Sequence, residues 1–269
     1  MVEFKTEKIT NRITRIFGLC TELMYLIEGD RYAALLDTGS GFGSLKACVD
    51  KLTDKPILVL LTHGHVDHAM GTKEFDTIYM NRKDDYIFVP HGADSFRQAD
   101  FNELSLPPED YIPTDDYTRF QDVKGGDSFD LGGIHIDIYD CVGHTYGSVA
   151  MLIREERMLL TGDGCNPFSF MFEDYSTPIT AYRDSLMKLK AETDGKYDAI
   201  LLSHGDGNGP TSIIPSVIAV CDDILAGTTD DVPFSFKGHN GFIAKAMNPE
   251  TMSRMDGVVG NIVYNKNNI

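Results

Sequence analysis

Apolar and polar positions alternate in short blocks along this chain, and the blocks predict an α/β protein with many short strands. Residues 13–17, 24–28, 33–36, 57–61 and 77–80 read as strands in the first half. Residues 127–131, 134–139, 149–153, 158–161 and 200–202 read as strands in the second, with 258–264 strand-like at the close. The run Ile57-Leu58-Val59-Leu60-Leu61 is continuously apolar, the pattern of a strand buried on both faces. By contrast 134–139 alternates, with Ile134, Ile136 and Ile138 on one face. Helices are predicted over 43–52, 179–193 and 211–225. Thr177-Pro178 forms the start of the second, a capping hydroxyl followed by proline at the first helical position.

Four of the apolar runs end in the same way. Leu61 is followed by Thr62-His63-Gly64-His65-Val66-Asp67-His68, and the strand at 134–139 leads to Gly143-His144-Thr145. Met158-Leu159-Leu160 leads to Thr161-Gly162-Asp163, and Ala199-Ile200-Leu201-Leu202 to Ser203-His204. Imidazoles and carboxylates are rarely placed at the end of a buried strand unless something there needs them. Strand C-termini are also where an α/β sheet presents its chemistry. Nitrogen and oxygen donors without a thiolate suit zinc, iron or manganese. His63 and His65, alternate residues of an extended segment, share a face and can grip one ion. Gly64 lets the backbone turn without a Cβ clash. Asp67 and His68 fall on the following turn, better placed for a second ion, and the three later strand ends supply the donors that two ions need.

The chain's 269 residues fit one large domain or one and a half. No stretch approaches the ~20 apolar residues of a membrane span, and Met1-Val2-Glu3-Phe4-Lys5 lacks the basic and apolar regions of a secretion signal. The expectation is a cytoplasmic protein with no membrane partner. The five cysteines are scattered, odd in number and without a Cys-x-x-Cys pair, which argues against a disulfide framework and a cysteine zinc site. Cys165, the one nearest the suspected chemistry, reads as a small buried apolar residue. A net charge of −17 and the lack of any basic run disfavour nucleic acid as partner or substrate. The expected partner is a small-molecule substrate, with homo-oligomer formation left open.

The set His63-Gly64-His65-Val66-Asp67-His68, Gly143-His144, Gly162-Asp163 and Ser203-His204, with Leu36-Asp37-Thr38-Gly39 as an early strand and turn, resembles the metallo-β-lactamase-fold hydrolases over about residues 13–204. The resemblance implies an αββα sandwich of two mixed sheets flanked by helices. Residues 1–226 would form it, with an insertion at about 82–118, and residues 227–269 would be a C-terminal extension packed on the same domain. It implies two divalent ions, zinc first, with iron or manganese as alternatives. His63, His65 and His144 would hold the first ion, Asp67, His68 and His204 the second, and Asp163 would bridge them. Asp67 is the expected catalytic residue, orienting the shared water and taking its proton. The expected reaction is hydrolysis of a small ester, lactone or thioester by a metal-bridging hydroxide. The alternative is a mononuclear iron sulfur dioxygenase of the same fold acting on a thiol persulfide, with His63, His144 and Asp163 as iron ligands. A non-catalytic binding protein ranks last, because every ligand position is filled.

Substrate contacts are less sharply marked. Asn166, Phe168 and His239 are the candidates, Asn166 standing where lactonases of this fold carry tyrosine, three positions after the bridging Asp. The segment Asn166-Pro167-Phe168-Ser169-Phe170-Met171-Phe172 reads equally as an apolar substrate wall or as core. The same two readings apply to the aromatics of the 82–118 insertion and to the tail beyond Ala226, with its Phe234-Ser235-Phe236-Lys237. His91 and His239 lie in those two regions and are either pocket-facing or ordinary loop histidines. His135 reads as a packed or surface residue, and Tyr146 as structural. Against family patterns, the tail argues against glutathione thioesters, Asp163 against β-lactams, and the missing basic arm against tRNA.

Overall fold

Leu23, Tyr25 and Ile27 point to one side of their strand and Met24 and Leu26 to the other, and both sides are buried. Such a strand needs a covering layer on each face. A computed structural model of the chain shows those layers; it describes all residues except Met1, Phe172, Glu173, Lys237, Pro249 and Met252. The first sheet contains β1 (Lys5–Lys8), β2 (Ile13–Phe17), β3 (Leu23–Glu28), β4 (Ala33–Leu36), β5 (Ile57–Leu60) and β6 (Thr77–Tyr79), in chain order. Its pairings are antiparallel as far as β4 and parallel from β4 to β6.

The chain then builds β7 (Ser128–Asp130), β8 (His135–Asp140), β9 (Val149–Ile153) and β10 (Met158–Leu160). After β11 (Ser169–Met171) leaves for a third sheet, β12 (Ala199–Leu201) and β13 (Asn208–Gly209) complete the second, in the order β13-β12-β10-β9-β8-β7. This sheet is also mixed, since β10 and β12 run parallel and the other neighbours antiparallel. The third sheet, ordered β11-β16-β15-β14, adds β14 (Val232–Phe236), β15 (His239–Ile243) and β16 (Ile262–Tyr264).

Three apolar cores fill the spaces between layers. One lies between the two large sheets, where Ile13, Tyr25, Ile27 and Leu36 meet Ile136, Ile138, Val149 and Met151. The outer face of the first sheet packs on α1 (Leu45–Val49), α2 (Val66–Ala69) and α3 (Asp85–His91), through Leu45, Val49, Ala69 and Phe88. α4 (Asp94–Glu103) follows α3, so the 82–118 insertion is largely helical. The outer face of the second sheet packs on α5 (Ile179–Thr193) and α6 (Ile213–Ala226), with Tyr182, Leu186, Val217 and Val220 in that core. The fold is therefore the αββα sandwich expected.

Local expectations were trimmed in places. The helix expected over 43–52 narrows to α1, and only the last three residues of 258–264 form a strand. Pro178, not Thr177, occupies the cap of α5, and the Thr177 hydroxyl makes no hydrogen bond. The Thr177 N–H instead donates to Gly143 O at 2.9 Å, tying the helix start to the loop that carries His144. Phe172 and Lys237 lie outside the described residues. All five cysteines are free, and Cys141, Cys165 and Cys221 are buried. Among the described residues no helix is long and apolar enough to cross a membrane.

Candidate metal centre

β5 ends at Leu60, and the chain runs extended through Thr62 to His65 before turning into α2. His63 and His65 thus project together, while Asp67 and His68 follow on the short helix. Gly64 is required by close approach: a Cβ there would stand 3.0 Å from the Cβ and carbonyl of Asp84. The second sheet brings the partners. Gly143 lets His144 close in, since a Cβ at 143 would lie 2.1 Å from the Tyr182 ring. Asp163 sits in a single 3-10 turn after β10, and His204 follows β12.

The structure brings all seven expected ligands together. His63 Nε2 lies 3.1 Å from His65 Nδ1, and His144 Nε2 lies 2.8 Å from the same atom. Asp67 Oδ2 is 3.6 Å from His68 Nε2 and 3.4 Å from His204 Nε2. Asp163 Oδ2 joins the two groups, at 3.4 Å from His204, 3.6 Å from His68 and 3.8 Å from His144.

These residues fit a metal for a reason internal to the site. His144 Nδ1 donates to Phe170 O at 2.7 Å and His68 Nδ1 to Asp37 Oδ2 at 2.9 Å. The Thr62 hydroxyl donates to Asp37, so it accepts from His63 Nδ1. At His63 and His144, which burial keeps neutral, the bond fixes the tautomer and leaves Nε2 as a bare lone pair facing the cluster, and at His68 it turns Nε2 towards the same point. Lone pairs converging without protons repel unless a cation sits among them, and His68 Nε2 is buried without a hydrogen bond. Zinc–nitrogen distances of 2.0–2.1 Å imply a tetrahedral edge of ~3.3 Å, close to the spacing seen.

The electrostatics divide the cluster. Burial holds His63, His65 and His144 below the ordinary imidazole range, reinforced at the first two by neighbouring imidazoles. Burial also opposes charge on His68 and His204, but Asp67 and Asp163 outweigh it, together with Asp37 at His68, and His204 rises to about 9. Burial works against the Asp163 carboxylate too, yet His204 and His68 hold it well below the usual range.

A ring of buried polar groups holds the ligand loops. Asp84 accepts from Gly64 N, Gly147 N and Thr145 Oγ1 at 2.7–2.9 Å, clamping the His63 and His144 loops together, while burial pushes its carboxyl up to about 6. Arg15 does the same for the His204 loop. Its guanidinium reaches Asp206 O at 2.7 Å, Gly207 O at 3.0 Å and Asn208 Oδ1 at 2.8 Å, and Tyr25 Oη adds a 2.6 Å bond to Leu202 O. Glu22 accepts from Cys20 N and from both N and Oγ of Ser40.

The expected substrate contacts separate. Asn166 Nδ2 stands 3.4 Å from Asp163 Oδ1, so it adjoins the cluster. Phe168 packs on Phe170 and Phe234 in a satellite core with Ile243 and Val263. His239 is exposed on β15, opposite Phe236. His135 is half-buried and bonds Glu155, and Tyr146 is exposed. His91 stacks on His65 at 5.0 Å, and Tyr175 meets the His65 ring edge-on at 4.7 Å. Tyr175, Arg15 and Asp84 were missed by the sequence reading. Only Arg15 had a local signal, a cation inside the apolar strand Ile13-Thr14-Arg15-Ile16-Phe17.

Comparisons with known proteins agree with this geometry. The chain is 27% identical over 197 residues to a hydroxyacylglutathione hydrolase of Haemophilus influenzae, covering 68% of this chain and 84% of that one. It is 24% identical over 169 residues to an acyl-coenzyme A thioesterase of Bos taurus, covering 52% of this chain and only 57% of the relative. A metallo-beta-lactamase from Pontibacter korlensis superposes with a TM-score of 0.58 at 14% identity, over 82% of this chain and all of that one, a likeness of fold. The model of the metallo-beta-lactamase superfamily matches residues 17–204, a span that holds both sheets' ligand-bearing strand ends. The chain belongs to the metallo-beta-lactamase superfamily of metal-dependent hydrolases.

Proposed function

We propose that the protein is a dinuclear metal-dependent hydrolase that cleaves a small ester, lactone or thioester. The observation that carries this reading is Asp163 Oδ2, within 3.4–3.8 Å of nitrogens from both donor groups. His63, His65 and His144 would hold one ion, Asp67, His68 and His204 the other, with Asp163 between them. Hard and borderline donors of this kind favour zinc, and iron or manganese fit the same set. A bound pair supplies a Lewis acid and a water whose pKa falls towards neutral.

The chain's own residues set up the rest. Asp67, about a third exposed, stands at the edge of the cluster and can orient a water and take its proton. Asn166 offers an amide N–H near Asp163, in reach of a carbonyl oxygen placed over the cluster. Asp37 and Phe170 O fix the imidazole tautomers, so no reorganisation is needed when a substrate arrives. The names of the two relatives, an acyl-coenzyme A thioesterase and a hydroxyacylglutathione hydrolase, support a thioester among the candidates.

A mononuclear iron centre would use His63, His144 and Asp163 and leave Asp67, His68 and His204 as a second converged donor set without a task. That set favours two ions. The test is metal content per chain on protein purified without added metal, alongside a panel of esters, lactones and thioesters. Close to two zinc or manganese ions with turnover of a panel member supports the reading. One iron per chain, oxygen consumption with a persulfide and no hydrolysis would refute it.

A further inference from the structure

Each imidazole of the first donor group has a second ring nitrogen, and the three are anchored differently. His63 Nδ1 bonds the Thr62 hydroxyl at 3.0 Å, and His144 Nδ1 bonds the Phe170 carbonyl at 2.7 Å. His65 is turned round: its Nδ1 faces the cluster, 3.1 Å from His63 Nε2 and 2.8 Å from His144 Nε2. A neutral ring that ligates through Nδ1 carries its proton on Nε2. In His65 that atom is buried and has no hydrogen-bond partner among the described residues. A ligating imidazole almost always donates its other N–H to an acceptor, which fixes the orientation of the ring. The ring of His65 must be fixed in another way.

Other rings do this. His91 lies nearly parallel to His65, with centroids 5.0 Å apart and planes at 21°, and Phe96 stacks on His91 at 4.4 Å and 17°. Tyr175 crosses the His65 ring at 68°, 4.7 Å away, and meets His91 at 5.9 Å. Tilting His65 would drive one edge of its ring into His91, so the stack sets the plane in which Nδ1 lies. The stack is itself anchored. His91 is the last residue of α3, whose Ile87 and Phe88 are buried, and Tyr86 Oη of the same helix donates to the Tyr175 carbonyl at 3.2 Å. Asp84, immediately before α3, accepts from Gly64 N at 2.9 Å, one residue ahead of His65. The opening of the 82–118 insertion thus grips His65 twice, at the backbone through Asp84 and at the ring through His91.

We infer that His91 is a positioning residue for the first ion, holding the ligand His65 by ring stacking where its two fellow ligands are held by hydrogen bonds. Phe96 and Tyr175 brace the stack. This rests on the reading of His63, His65 and His144 as ligands of one of two ions, and it gives the insertion a task in metal binding.

Two substitutions separate a ring from a polar contact. His91→Phe keeps a flat ring and loses both nitrogens, whereas His91→Gln keeps a polar group and loses the ring. Metal-free protein is titrated with cobalt, whose spectrum separates the two sites, and the unfolding midpoint of each metal-free variant is recorded alongside. His91→Gln should bind the first ion about fivefold to tenfold more weakly, the scale of one aromatic pair, and the second ion as before. His91→Phe should stay within about twofold of the unaltered protein at both sites. Phe96→Ala, at a position 42% exposed, should weaken the first ion about twofold to threefold, and it decides the matter alone if His91→Gln does not fold. An unchanged first constant in His91→Gln and Phe96→Ala overturns the inference. So does full affinity in His91→Gln with loss in His91→Phe, the mark of a polar contact, or a loss shared equally by both ions. Failure of the underlying reading looks different: the unaltered protein then takes up fewer than two cobalt ions, or His65→Ala leaves both constants unchanged.

Discussion

Arg15 lies far from His204 in sequence, yet its guanidinium closes on the loop that carries it. Replacing it by methionine keeps the apolar stem against Tyr25 and deletes three bonds, to Asp206 O, Gly207 O and Asn208 Oδ1. Charge-assisted bonds contribute ~1.5–3 kcal/mol each. Here the low end applies. Asp206 and Asn208 are exposed and regain water, and Gly207 O keeps Leu202 N and Tyr25 Oη as donors. The variant also removes a buried Nε that has no partner. Glu7, half exposed, adds little. The net loss is about 3 kcal/mol, which corresponds to about 6–10 °C in the melting temperature of the metal-free protein. Roughly two-thirds of it falls on the ordering of His204, so the second ion should bind about 30-fold more weakly. The first ion should bind as before, since none of its ligands lies on this loop. Stepwise titration with cobalt, whose spectrum separates the two sites, reads both constants. Equal weakening of both ions would refute the reasoning, and so would an unchanged second constant alongside the same thermal loss. Arg15→Lys, restoring one donor, should fall between.

The remaining expectations concern the same centre. Asp84→Ala removes the acceptor shared by Gly64, Gly147 and Thr145, and should weaken the first ion at least tenfold with a smaller effect on the second, measured in the same titration. Asp163→Ala should cut metal content to one ion per chain or less by elemental analysis and abolish turnover; full activity would end the dinuclear model. Cys165→Ala, in a buried apolar setting, should leave turnover unchanged and cost about 1 kcal/mol in denaturant unfolding. Proton release gives a pH signature. In the metal-free protein His68 and His204 are raised, the latter to about 9, and so remain protonated at neutral pH, whereas His63, His65 and His144 are lowered and neutral. Those raised groups stabilise the metal-free fold below their unfolded value, and the contribution is lost as pH rises through about 9. Metal uptake must expel their protons, so apparent affinity should climb from pH 6 to about 9, with more than one proton released at pH 7. Calorimetry in buffers of different ionisation enthalpy counts them, and zero release would contradict the assignment.

Much of the fold and nearly all of the ligand set are legible in the sequence because both depend on local pattern. Ile57 to Leu61 can hardly be other than a buried strand, and His63 to His68 follow it directly. Other elements carry no such mark. β1 is Lys5-Thr6-Glu7-Lys8, wholly exposed, and exists only because its backbone pairs with β2. β11 is three residues long and pairs in parallel with β16, nearly a hundred positions on, so nothing local announces it. The insertion's helices are obscured by Pro90 inside α3 and by the polar face of α4. Tyr175 and Asp84 gain their roles from neighbours distant in sequence, and their types are ordinary for loops.

His63, His65, Asp67 and His68 belong to the first sheet's half of the chain; His144, Asp163 and His204 belong to the second. Neither half holds a complete donor set for the ions as proposed, so loading must wait until both halves have been synthesised and docked. Once loaded, the ions as proposed would act as rivets between the two large sheets, whose facing sides share one apolar core. Binding to the folded state alone adds stability by mass action. It would do so where donors from the two halves meet. Metal supply would then govern how long each folded molecule survives.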